Sequence, residues 1–227
     1  MGMGKPVEAA PWSFSKIKSF ETCPKQFYHE KVLKEFPYVE SEAMRYGTEF
    51  HTAAENFVGK GTELPKHFAF AKPVLQSLAD KPGKKLVEQK MGLNSKLEAC
   101  SFFAKDVWFR GIVDLLIIDG EDALIIDHKT GKSSQYAEKG QLELMALSVF
   151  RHFPEVKNIK AGLLFVIAND FVKASYQRSG QRELWTKWLS NYSAMEKAFE
   201  TGVWNPKPSG LCKRHCQVLE CPHNGAN

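Results

Sequence analysis

"RGIVDLLIIDGEDALIIDHKTG", residues 110–131, sets two apolar runs rich in Ile and Leu around the polar turn "DGED". Runs of this kind bounded by turn residues read as strands, and Asp-Gly is hairpin-turn chemistry. A turn at Gly120-Glu121, or a four-residue loop over 119–122, gives one register. Asp119 then faces Asp122, and counting outward places Asp114 opposite Asp127. A turn at Asp119-Gly120 slips the register by two and still leaves both acids on one face. Side chains two apart on a strand point the same way, so Lys129 projects together with Asp127.

Two carboxylates held that close in an apolar hairpin repel one another, and a divalent cation between them removes the conflict. Their oxygens are hard ligands, which favour Mg²⁺ or Mn²⁺. Beside such a cation Lys129 can orient water or stabilise charge on a phosphoryl group. The plainer reading is an exposed edge hairpin in which Lys129 merely pairs with an acid. It suffices for an isolated Asp-x-Lys, but Asp114 opposite on an apolar strand favours a site. The tail Gly131-Lys132-Ser133 resembles the end of a phosphate-binding loop. The glycine such a loop needs five residues upstream is Ile126 here, and one glycine builds no nest of backbone N–H groups.

Outward from the hairpin, 86–94 ("LVEQKMGLN") reads as a strand, the hairpin arms cover 107–119 and 123–130, and a helix follows at about 138–152. Strands at 161–168 and 171–177 and a long helix near 180–201 complete this part. Upstream, 12–36 reads as two helices parted by Pro24, with Ser13 or Ser15 as N-cap. Thr48 caps a helix over 46–61, and the proline-bearing stretch 62–85 holds a short helix around 70–80. The order predicts an α/β fold with a central mixed β-sheet flanked by helices. The expected layout is one domain, 1–227: a helical part at 12–85, an αβ core at 86–201, and a cysteine-rich tail at 202–227.

The 227 residues suit one domain and are enough to bury a core. Hydrophobic residues make up 43% and charged ones 25%, ordinary for a globular protein. No apolar run is long enough to span a membrane, and the start "MGMGKPVEAAPW" lacks a signal-peptide core, which points to the cytoplasm. The net charge of +5 is compatible with nucleic acid but weak evidence alone. Lysines 16, 18, 25, 31 and 34, with Lys207, Lys213 and Arg214, could track a phosphate backbone. Phe20, Phe27, Tyr28, Trp185, Trp188 and Trp204 read as packing residues.

Cys212, Cys216 and Cys221 form Cys-x3-Cys-x4-Cys, dense enough to read as metal or cluster ligands in a chain without a secretion signal. Three thiolates leave a coordination position open. With His215 and His223 nearby, a zinc site of Cys₃His or Cys₄ type is one solution. Cys100 reads as a small buried hydrophobe.

Taken together, Glu88, Asp114 and Asp127-x-Lys129 resemble the PD-(D/E)xK nuclease superfamily, and more closely its RecB-like branch. That branch includes the AddB nuclease domain and CRISPR-associated exonucleases. "GTEFH" (47–51) resembles its Gly-x-x-x-His helix, "GIVD" (111–114) its Gly-x-x-Asp strand, and "DHKTG" (127–131) its Asp-x-Lys-Thr-Gly; Gln141 stands where it carries Gln on the next helix. Where members often carry Tyr four residues after that Gln, this chain has Met145.

The resemblance implies a restriction-endonuclease-like core and a metal-dependent DNA exonuclease. His51, Asp114 and Asp127 would be metal ligands, Lys129 and Gln141 would complete the catalytic set, and Glu88 would be a further candidate. It also implies a [4Fe-4S] cluster on Cys23, Cys212, Cys216 and Cys221, tying the chain ends together. The family's usual C-terminal spacing, Cys-x2-Cys-x5-Cys, is displaced here by one residue at the middle cysteine, and zinc stays an alternative. DNA is the implied partner, with a helicase or a recombination or CRISPR protein alongside it. A non-catalytic DNA-binding or complex-forming module, and an endonuclease or nickase of the same fold, are the competing functions.

Overall fold

The structure, a computed structural model, describes residues 11–225. Residues 1–10, which hold most of the start read as pointing to the cytoplasm, lie outside them. In chain order the elements are α1 (Phe14–Thr22), α2 (Pro24–Phe27), α3 (Glu42–Lys60), α4 (Lys72–Ala79), β1 (Lys84–Asn94), β2 (Ala99–Cys100), β3 (Val107–Asp119), β4 (Asp122–Lys129), α5 (Gly140–His152), β5 (Asn158–Phe165), β6 (Asp170–Gln177) and α6 (Gln181–Thr201). The chain divides into two compact units, Met1–Val39 with Thr186–Asn227, and Glu40–Trp185. Residues 40–85 therefore go with the sheet rather than with the N-terminal helices.

In the first unit Ser13 starts α1 by accepting from the Lys16 backbone N–H at 3.4 Å. Pro24 cannot continue α1 but suits the first position of α2. Cys23 sits between them as the N-cap of α2, and a π-helical turn, Tyr28–Val32, follows. Trp12, Ile17, Phe20 and Phe27 are buried, as are Trp188, Tyr192, Met195 and Ala198 at helical spacing on α6. Trp204 is ringed by Phe20, Phe27, Tyr28 and Phe199, with Tyr28 stacked on it at 5.0 Å. These aromatics pack, as their pattern predicts.

The second unit is built on a six-stranded mixed sheet of order β2-β1-β3-β4-β5-β6. All neighbours are antiparallel except β4 and β5, which α5 joins as a parallel crossover. The hairpin register is the expected one. Asp119 pairs with Asp122 and Leu115 with Ile126, around a turn whose Gly120 sits at φ +60°. One face of the sheet packs on α5 through Leu142, Met145, Ala146, Val149 and Phe150. The other packs on α3 and α4 through Phe50, Ala54, Phe57, Leu75 and Leu78.

Side-chain alternation breaks at one level of this sheet. On β3, Val113 belongs to the α5 core, yet so do Leu116 and Ile118, while Leu115 and Ile117 belong to the opposite one. On β1, Leu86 packs on the α5 side and Val87 on the other, yet Met91 is again on the α5 side. Both strands change phase where Glu88 and Asp114 lie. Glu88 carries the cause in its backbone, a φ of +46° that a non-glycine residue rarely adopts.

Two boundaries and one burial differ from expectation. The helix expected from Thr48 begins at Ser41, whose hydroxyl accepts from Met44 N–H at 3.2 Å, and Thr48 donates instead to the Met44 carbonyl. The strand expected at 161–168 runs over 158–165, because parallel pairing sets Asn158 beside Asp122. Apolar 166–168 belong to the following turn, where Asn169 takes φ +50°. Cys100, expected to be buried, is half-buried, because two-residue β2 lies at the sheet edge with only β1 beside it.

Arg178 closes the C-terminal end of α5. Its guanidinium donates to the carbonyls of Phe150, Phe153 and Val156 at 2.7–2.8 Å and lies over the Phe150 ring. Arg178→Ala removes these three donors, leaving the Phe153 carbonyl only its bond from the Val156 N–H, and is expected to lower stability by about 2–3 kcal/mol, read as the shift in a urea-unfolding midpoint.

Candidate active site

Asp114 lies midway along β3, between β1 and β4. Val87 pairs with Leu115 and Gln89 with Val113, so Glu88 occupies the position facing Asp114 on one side. Asp127 lies one step beyond the Leu115–Ile126 pair on the other. Three acids thus form a row across three adjacent strands. His51 on α3 brings its Nδ1 to 3.2 Å from Asp114 Oδ2. One turn earlier, a Cβ on Gly47 would stand 3.4 Å from Thr130 Oγ1, so α3 passes close to the end of β4. Ligand atoms of His51, Glu88 and Asp114 all lie within 4.8 Å of one another.

Asp127 is 2% exposed and belongs to a closed triangle. Lys129 Nζ meets Asp127 Oδ2 at 2.6 Å and donates to Gln141 Oε1 at 2.9 Å, and Gln141 Nε2 donates to Asp127 Oδ1 at 2.6 Å. This orients the Gln141 amide, because its NH₂ must face the carboxylate and its oxygen the ammonium. Gln141 reaches the triangle from the first turn of α5. Met145, one turn further along α5, is buried in the α5 core.

The protonation pattern follows from this crowding. Burial pushes the Asp114 carboxyl upward, but hydrogen bonds from His128 and His51 outweigh it and hold the group well below the usual range. Burial and then the Asp114 charge push Asp127 upward, against the pull of Lys129. Glu88 is raised by burial and then by Asp114. Burial opposes the charged form of His51, yet the hydrogen bond and charge of Asp114 still raise its pKa.

An imidazole and two carboxylates converging this closely, with anionic charge in excess, fit a divalent cation. The geometry brings His51, Glu88 and Asp114 together, while both oxygens of Asp127 face Lys129 and Gln141. A cation held on His51 must displace a proton from it. Metal affinity is therefore expected to strengthen as pH rises and to level off above the raised His51 pKa. Calorimetric titration in buffers of different ionisation enthalpy reads both the affinity and the released proton.

His128 had no expected role. Its backbone N–H donates to Asp114 Oδ2 at 2.7 Å, and its buried Nδ1 lies 3.5 Å from the same oxygen. Its position between two polar site residues could have pointed to it, since an imidazole facing inward there must meet something charged.

Within the first unit, Cys23, Cys212, Cys216 and Cys221 line one small cavity, together with His223. Backbone N–H groups point at two of the sulfurs: Gln26 and Lys207 at Cys23 Sγ (3.5 and 3.4 Å), and Ser209 at Cys212 Sγ (3.4 Å). Such donors stabilise thiolates and thiolate-held metal groups. Some of the expected phosphate-tracking cations here have local partners. Lys18 pairs with Glu21, and Lys207 Nζ donates to the Glu21 carbonyl.

A mixed sheet carrying this acid, acid–lysine and glutamine set has the architecture of the restriction-endonuclease-like nucleases. Residues 11–221 match the PD-(D/E)XK nuclease superfamily, and the chain belongs to it. Its nuclease membership supports hydrolysis of phosphodiester bonds, a chemistry for which the family uses divalent metals. Among solved structures it is similar to a candidate exonuclease from Eubacterium rectale, at 14% identity and a TM-score of 0.55, covering 93% of this chain and 90% of that one. It is also similar to SSO0001, at 13% identity and a TM-score of 0.52, covering 96% and 89%. At such identities the likeness is one of fold. No curated protein matches. No described helix is long and apolar enough to cross a membrane.

Proposed function

We propose that the chain is a Mg²⁺- or Mn²⁺-dependent deoxyribonuclease that degrades single-stranded or unwound DNA from its ends, in recombination, repair or CRISPR-type processing. The observation that carries this reading is the His51–Glu88–Asp114 trio standing beside the Asp127–Lys129–Gln141 triangle. His51, Asp114 and Asp127 are the proposed metal ligands, with Glu88 completing the set; Asp127 joins by giving up one of the two partners, Lys129 or Gln141, that its oxygens face. When bound, the cation supplies charge to polarise the phosphodiester and to acidify water. Lys129 donates to the anionic phosphoryl oxygens or holds the attacking water, and Gln141 fixes its ammonium. Water adds to phosphorus as the bridging P–O bond breaks, leaving a phosphate on one fragment and a hydroxyl on the other.

End-labelled linear DNA and covalently closed single-stranded circles, incubated with Mg²⁺ or Mn²⁺ and with chelator, test this reading. Metal-dependent loss of linear DNA with intact circles is the expected result. Cleaved circles would make the protein an endonuclease or nickase, and inert linear DNA would leave a binding or complex-forming module. In the same reading the cysteine cavity holds a [4Fe-4S] cluster on Cys23, Cys212, Cys216 and Cys221. His223 in its wall supports zinc as the alternative. Iron and zinc analysis with visible absorption of anaerobically purified protein separates the two. The DNA would reach the chain with a helicase or another processing protein, which co-purification tests.

A further inference from the structure

Past the metal trio, the β1–β3 ribbon carries an exposed aromatic set between two cations. Phe103, in the turn between β2 and β3, is 73% exposed although large and apolar. Its turn is fixed by Ala104 N–H donating to the Ser101 carbonyl at 3.0 Å. Phe102 meets it edge-on at 5.0 Å between ring centres. The Arg110 guanidinium lies 5.2 Å from the Phe102 ring and 5.7 Å from the Phe103 ring, and Lys90 Nζ lies 6.0 Å from the Phe103 ring. Among the described residues neither cation forms an ion pair, and Arg110 Nε is buried without a hydrogen-bond partner. The set is thus positive and aromatic, without a direct ion pair, unlike a packed core.

Its place in the sheet gives it a direction. Lys90 pairs with Ile112 and Gly92 with Arg110, just beyond Glu88 and Asp114. Val113 packs towards α5, so Ile112 and Arg110 point to the other side, where α3 brings His51. At about 3.3 Å per residue, Arg110 lies about 13 Å along β3 from Asp114, a span of a few nucleotides. A chain with one phosphate at the trio would bring later phosphates past Lys90 and Arg110 and a base over Phe103.

We propose that Phe103, flanked by Lys90 and Arg110, is a stacking subsite for an unpaired base of a single DNA strand whose scissile phosphate lies at the His51–Glu88–Asp114 trio. Charge complementarity selects a polyanion, and an exposed ring braced by cations selects one whose bases are free to stack. Duplex DNA presents paired bases and gains little from Phe103. The proposal rests on the nuclease reading and names its substrate form.

The test uses the full chain in chelator, so that nothing is hydrolysed, with a fluorescent 12-nucleotide single strand and a blunt duplex as probes. Phe103→Ala is expected to weaken single-strand binding about tenfold, a size expected for loss of one stacked base, and to leave duplex binding unchanged. Phe103→Trp restores single-strand binding and Phe103→Leu does not, a pattern that a structural role would not give. Arg110→Ala lowers the slope of log affinity against log salt by about one phosphate contact. Wild-type single-strand affinity in Phe103→Ala, equal losses on both probes, or no binding by the wild-type chain would each overturn the proposal. Metal-dependent DNA hydrolysis by the same preparation tells whether the nuclease reading survives that failure.

Discussion

Asp114→Asn is expected to remove divalent-metal binding and DNA hydrolysis together, with activity down at least about a thousandfold. Asp114 is the central acid of the row, facing Glu88 on β1 and adjoining Asp127 on β4. It also accepts from the His128 backbone N–H. Asparagine keeps the shape but removes the charge that neutralises a cation. If its NH₂ takes the place of Oδ2, it meets the His128 donor. The variant is expected to remain folded, because the charge it removes also repels Asp127. Calorimetric Mg²⁺ and Mn²⁺ titrations beside the end-labelled assay read both losses. Activity retained within tenfold would sink the assignment of Asp114 as the central ligand. The apo protein supplies a second readout. A carboxyl held below its ordinary range contributes stability above its unfolded pKa, lost as pH falls through the folded one, so the variant is expected to flatten the acid limb of the stability profile.

Lys129→Met separates chemistry from metal binding. Hydrolysis is expected to fall about a hundred- to a thousandfold, the scale for losing one aligned donor to transition-state charge, while the metal still binds. The buried Asp127 loses its counter-charge and keeps the Asp114 charge beside it, so its carboxyl is pushed further up. Lys129→Arg is expected not to restore activity, since a planar guanidinium cannot fill a point-charge position between Asp127 and Gln141. Single-turnover rates at saturating Mn²⁺ measure the effect. Equal losses of rate and metal affinity would show that Lys129 acts only through the ligands.

What was legible in the sequence follows from which features are local. The hairpin register could be counted outward because Gly120 permits a tight turn, and everything from Leu115–Ile126 inward follows from that one point. Asp127, Lys129 and the Gln141 position then carry the superfamily's pattern. Glu88 was only faintly legible, since a left-handed residue inside a strand leaves no periodic trace. His128 was hardly more legible, for a related reason. Strand alternation says that it points away from Asp127 and Lys129, but not that its backbone holds the neighbouring acid. The shift of β5 shows the limit of apolar runs, because Val166 is buried in a turn and looks like strand. The gathering of Cys23 with the three C-terminal cysteines could be anticipated only by resemblance, because their separation of nearly the whole chain has no local signature.

The change of phase at Glu88 and Asp114 means that β1 and β3 each serve two masters. Below that level they build the interior against α4 and α5 in strict alternation, and above it the same strands show the outside a different set of side chains. Lys90, Arg110 and Ile112, on the outward face, could therefore drift in sequence and alter what the outer ribbon grips, while Val107, Phe109 and Val113 stay in the interior. A one-residue insertion just before Asp114 would turn the buried Phe109 and Val113 outward, so only the outward-facing positions of that half can change. The sheet behaves as a tool with an interchangeable handle, its cutting edge fixed at the joint.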